Sequence, residues 1–127
     1  MPSASKMTTP LAVDLPEIQG RYAELDGYTV GFETFREDAD ATPLMKGLPD
    51  DRCQSPHWGY VVSGSVTFKY ADRDETYETG DAYYAPPGHI PVIKAGTEVI
   101  EFSPSGPYAE TMKVLSQNLA AAAASAQ

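Results

Sequence analysis

His57, His89 and Cys53 are the only imidazoles and the only thiol in this 127-residue chain, so any metal binding or acid–base work through such groups must run through these three residues. Cys53 stands four residues before His57, with Ser55-Pro56 between them. A straight strand would hold the two about 13 Å apart, too far to share an ion. A bend at the proline would bring them together, and a thiolate with imidazoles suits zinc, or iron or copper in some geometries. Structural readings stay open beside this one. A free cysteine is commonly buried and inert, and a single histidine commonly serves as a hydrogen-bonded structural group. Asp50 and Asp51 are adjacent acids in a polar loop, a pattern that is usually solvated. Trp58, Tyr60, Phe68, Tyr70, Tyr83 and Tyr84 are either core aromatics or the lining of a pocket for a flat ligand. The chain has no G-x-S-x-G elbow, phosphate-binding glycine loop, H-E-x-x-H or C-x-x-C.

The elements that must position these residues read as β. Eleven prolines and ten glycines cut the middle of the chain into short segments, as in sandwiches and barrels. Strands are predicted over 28–35, 57–62, 65–70, 75–78, 82–85, 90–94 and 98–102, with a hairpin around Ser63-Gly64 and a polar loop over 38–51. Residues 1–14 read as a flexible arm and 15–106 as a single β domain. Residues 107–127 read as a C-terminal helix, with Met112, Leu115 and Leu119 at helical spacing, that frays into an alanine-rich tail. Over 57–62 both faces are largely apolar, so both need cover, which points to a second sheet layer or to a homodimer.

Composition narrows the class of partner. Eighteen acidic against nine basic residues give a net charge of −9, which repels phosphate backbones and anionic lipid and argues against nucleic-acid or membrane-surface binding. A single cysteine makes no internal disulfide. No apolar run approaches the ~20 residues of a membrane span. The first twenty residues lack the apolar centre of a signal peptide, so the expected location is the cytoplasm.

From about Cys53 to Pro104 the sequence resembles the cupin superfamily. That family is marked by two stretches, G-x5-H-x-H-x3–4-E-x6-G and G-x5-P-x-G-x2-H-x3-N. Gly80-Asp81-Ala82-Tyr83-Tyr84-Ala85-Pro86-Pro87-Gly88 matches the opening of the second. Counting back from Gly64 places His57 at the glutamate of the first stretch, Cys53 at its second histidine and Asp51 at its first histidine. Pro91 and Ala95 stand where the second stretch has histidine and asparagine, with His89 two residues earlier. The resemblance implies an all-β, double-stranded β-helix (jelly-roll) barrel with a C-terminal helix added. At or beside those ligand positions, Cys53, His57 and His89, with Asp51 as a fourth, would make a site for a divalent metal, zinc or iron being favoured, that differs from the family's usual one. Two functions then stand side by side. One is a metal-dependent enzyme acting on a small organic molecule inside the barrel, with Tyr60 or Tyr84 donating a hydrogen bond or proton. The other is a non-catalytic small-molecule binding or sensing module that has lost its metal. A purely structural dimeric domain is a third.

Overall fold

Side chains alternate along His57–Ser63: His57 and Val61 point into the protein, whereas Trp58, Tyr60 and Val62 point out and are exposed. This period of two sets the inner and outer faces of the sheet. The structure, a computed structural model, describes residues 2–125. In chain order the strands are β1 (Leu11–Asp14), β2 (Ile18–Leu25), β3 (Tyr28–Phe35), β4 (Ala39–Asp40), β5 (His57–Ser63), β6 (Ser65–Lys69), β7 (Asp74–Glu78), β8 (Ala82–Ala85), β9 (Ile90–Ile93) and β10 (Glu98–Pro104). Helix α1 (Ser105–Ser125) follows. Short 3-10 turns occupy Thr42–Met45 and Pro49–Asp51.

The strands form two antiparallel sheets, ordered β1-β2-β3-β10-β5-β8 and β4-β9-β6-β7. Val61, Val66, Phe68, Ala85, Ile93 and Val99 are buried in one cluster between them. Each such valine, isoleucine or phenylalanine is worth about 1.5–3 kcal/mol of burial. Among the described residues no hydrogen-bonded ladder joins the two sheets, so the architecture is a two-sheet sandwich with a C-terminal helix and not one closed barrel. Gly64, at φ +88°, turns β5 into β6, and a side chain there would run into the Thr97 backbone.

Two parts of the chain depart from the sequence reading. Leu11–Asp14, expected in the arm, pairs as an edge strand with β2. The arm before it also makes contacts: Arg21 donates to the Thr9 carbonyl at 2.9 Å, and Lys6 pairs with Glu98 at 3.1 Å. The helix starts at Ser105, two residues before Pro107, and runs to Ser125. Met1, Ala126 and Gln127 of the expected arm and tail lie outside the described residues. No helix among the described residues is long and apolar enough to cross a membrane.

Candidate metal centre and adjoining cavity

Two backbone hydrogen bonds bring Cys53 and His89 together. Cys53 N–H donates to the His89 carbonyl at 2.8 Å, and Gly88 N–H donates to the Cys53 carbonyl at 2.8 Å. The approach to Cys53 is a reversal at Asp50 and Asp51, both in the left-handed region at φ 56° and 54°. The chain then bends through Ser55-Pro56, and Cys53 Sγ comes to rest 3.8 Å from Nε2 of His57. The His57 and His89 rings are 4.8 Å apart between centroids. One donor atom from each of Cys53, His57 and His89 lies within 4.8 Å of the others, and all three residues are buried.

Each imidazole is tied down through Nδ1. That of His89 donates to the Pro86 carbonyl at 2.7 Å, which leaves Nε2 as the lone-pair nitrogen. That Nε2 is fully buried and has no hydrogen-bond partner among the described residues. A buried acceptor left unpaired costs roughly 1–3 kcal/mol, and an ion at this point would satisfy it. His57 Nδ1 is held by Ser103 Oγ at 2.7 Å, which frees the Nε2 that faces Cys53. Burial lowers both imidazoles to about 4, with His57 adding to the shift of His89, so both are neutral donors at pH 7. Burial pushes the Cys53 thiol up to about 11, against weaker pulls from the Ser55 backbone and the Thr111 hydroxyl. The thiol must therefore shed a proton to become a ligand. Tetrahedral zinc keeps its sulfur and nitrogen ligands about 3.4–3.6 Å apart, close to the 3.8 Å already present between Cys53 and His57. The donor set fits a borderline divalent ion.

Three other expectations from the sequence are corrected. Asp51 does not join this cluster: it is exposed, and its Oδ1 accepts from Gly47 N–H at 3.0 Å within the turn. Tyr60 and Tyr84 lie on the outer face of the six-stranded sheet, exposed, and have no access to the interior. Trp58 lies there as well, 5.0 Å from the Tyr84 ring and 6.2 Å from Tyr28. The reason is parity, because an inward His57 sends 58 and 60 outward, and an inward Tyr83 does the same to 84. Of the expected pocket aromatics, Phe68 lines the interior space, while Tyr70 and Tyr83 are buried but outside its lining.

That space is a cavity of about 200 Å³ between the sheets and under α1. Its walls include Phe35, Phe68, Ile93 and Val99 from the strands, Leu44 and Met45 from the first 3-10 turn, and Tyr108, Met112 and Leu115 from the helix. Asn118 fastens the helix over it by donating to the Leu44 and Lys46 carbonyls at 2.7 and 2.9 Å. Cys53 and His57 form part of the wall.

Sequence reasoning missed the acids in the cavity wall, above all Glu33 on β3 and Glu101 on β10, with Tyr22 on β2 beside them. Tyr22 donates to Glu33 at 2.6 Å, and Tyr83 donates to Glu101 at 2.5 Å. Glycines clear the way for both rings: a Cβ at Gly20 or Gly31 would overlap Tyr22, and one at Gly59 would overlap Tyr83. Burial holds both carboxyls above the usual carboxylate range, and the charge of Glu101 raises Glu33 further. The available signal was an acid inside each of two apolar strands, YTVGFETF and EVIEFSP.

The same two-sheet arrangement occurs in known proteins. An RmlC-like cupin from Shewanella frigidimarina superposes over 80% of this chain and 88% of its own, with a TM-score of 0.56 and 16% identity. The chain has the cupin fold. KdgF from a Halomonas species matches this cupin-fold chain with a TM-score of 0.55 and 23% identity, over 79% of this chain and 90% of its own. The polyketide cyclase RemF from Streptomyces resistomycificus matches with a TM-score of 0.57 and 16% identity, over 82% and 79%. No family model matches the sequence, and no curated protein does. The cupin resemblance read from Gly80–Gly88 thus meets its counterpart in three dimensions, at identities that speak for the fold alone.

Proposed function

We propose that this protein is a metal-binding cupin that holds one divalent ion, zinc or iron, through Cys53, His57 and His89, and a small organic molecule in the adjoining cavity. The observation that carries this reading is Nε2 of His89, fully buried, fixed in its tautomer by Pro86 and left without a partner beside two other donor atoms. Bound there, the ion would act as a Lewis acid that polarises a substrate oxygen or activates water. The chain's own residues hold the donors in place, cover one side of the space with the helix, and offer the substrate a largely apolar wall that also carries carboxyl groups. That the structural neighbours include a polyketide cyclase is compatible with chemistry on an organic molecule in this space.

Elemental analysis of protein purified without a nickel column tests the reading, and about one zinc or iron per chain is the expected result. Metal well below stoichiometric after reconstitution overturns it. The alternative is then a metal-free small-molecule binding module. It draws support from the Cys53 thiol, which is held protonated and donates to the Ser55 carbonyl at 3.8 Å. Thermal stabilisation by ligands, unchanged by chelator, is its signature.

The protein is also proposed to be a homodimer that buries the outer aromatic face. Tyr28, Trp58, Tyr60, Val62, Tyr84 and Phe102 are all exposed on the six-stranded sheet, and none is charged. Aromatic residues of this kind are enriched at the centres of interfaces. Light scattering is expected to give twice the chain mass, and Trp58→Glu to give the monomer. A monomeric parent protein rejects the dimer.

A further inference from the structure

Four acids line the cavity, Glu17, Glu33, Asp40 and Glu101, and no lysine or arginine is among the described residues lining it. Glu33 pairs with Val99 across the β3–β10 ladder and Glu101 pairs with Gly31, so the two acids are diagonal neighbours on the inner face. Each carboxyl takes one tyrosine hydroxyl on Oε2, and among the described residues its other oxygen has no hydrogen-bond partner. The nearest nitrogen base is His57, whose Nδ1 is 4.0 Å from Glu101 but is already engaged by Ser103 at 2.7 Å. Buried carboxyls are normally compensated by a cation or by full hydrogen bonding. Here the protein supplies neither to these partly buried acids, and the space they face is walled mainly by apolar side chains.

The chemistry that completes this arrangement is an ammonium group on a hydrocarbon body. The cation meets the free carboxyl oxygens. The Tyr22 and Tyr108 rings, 6.1 Å apart in the same cavity wall, offer the π faces that favour a cation. A carboxylate or phosphate in the same place would add like charge in a poorly screened site. We propose that the cavity is a binding site for a small apolar organic amine, with its ammonium group at Glu33 and Glu101 and its body against Phe35, Phe68 and Val99. The amine enters as the cation. This rests on reading the cavity as the ligand site and needs no metal.

Isothermal titration calorimetry on the full-length protein, metal-free and metal-loaded, tests it. The probes are benzylamine, cyclohexylmethylamine and butylamine, each beside the corresponding alcohol and carboxylate. At least one amine is expected to bind about tenfold or more tightly than its alcohol, with no heat from the carboxylate. Glu33→Gln and Glu101→Gln are expected to remove that preference. A carboxylate or alcohol that binds as tightly as its amine overturns the proposal. So does the absence of any amine binding at millimolar concentration, or Gln variants that keep the preference. The preference within the parent protein is read without any variant, so a misfolded Gln variant does not shield the proposal. Amine binding in a protein that never takes up metal overturns the metal reading alone, and stoichiometric metal without an amine preference overturns only this one.

Discussion

With His57 replaced by alanine, the protein is expected to retain no stoichiometric metal. His57 contacts both other donors: its Nε2 faces Cys53 Sγ at 3.8 Å and its ring stands 4.8 Å from that of His89. Removing it leaves two donors on segments joined by the Cys53–His89 backbone bridge, too few to enclose an ion. Loss of a group that only orients a ligand costs about 10–100-fold in metal affinity, and loss of the ligand itself costs more. Cys53→Ser, which nearly conserves volume, should match His57→Ala. Ser103→Ala, which unties only Nδ1 of His57, should fall in the smaller range. Competition with a chelator of known affinity, followed by elemental analysis, reads all three, with circular dichroism to check that each variant is folded. Stoichiometric metal in folded His57→Ala protein sinks the assignment.

The metal-free protein is expected to keep nearly constant stability between pH 7 and pH 5, and a Glu33→Gln/Glu101→Gln variant to lose it steeply over the same interval. The two histidines sit at about 4 in the folded state against 6.5 when free. Their contribution is complete above pH 6.5 and is lost as pH falls from there toward 4, at about 1.4 kcal/mol per pH unit for each. The two carboxyls act in the opposite direction. Their folded values are raised, so the folded state takes up protons below neutrality before the unfolded chain does and gains stability as the pH falls. Both effects come from burial in one interior, and over this window they offset each other. Once the carboxyls are amides only the histidine loss remains, about 2–4 kcal/mol from pH 7 to pH 5. That is a fall in Tm on the order of 10 °C. Parallel Tm profiles for the parent and the variant, measured by thermal denaturation with chelator present, would contradict the shared burial.

Local chemistry determined a good part of this molecule. Tyr28–Phe35 and Ala82–Ala85 occur as strands over the residues the sequence marks, because glycine, proline and aspartate punctuate their ends and alternation fills them. β2 was not legible, since IQGRYAEL mixes alanine, charge and glycine and shows no alternation until its neighbours supply it. The donors Cys53, His57 and His89 could be named because the chain holds no other thiol or imidazole. Which residues share their space could not be. Over His57–Ser63 both faces are apolar, so a period of two separates 57 from 58 and 60 without saying which set is inside. Pairing with β10 and β8 made that choice, turning His57 inward and leaving Tyr60 and Tyr84 on the surface. The same choice carried Glu33 and Glu101 inside, where sequence alone gives an acid no reason to be. A side chain's parity is a local property of the strand, but the meeting of residues 33, 53, 57, 89 and 101 depends on ladders and one backbone bridge between segments far apart in the chain, and only the folded sandwich decides those.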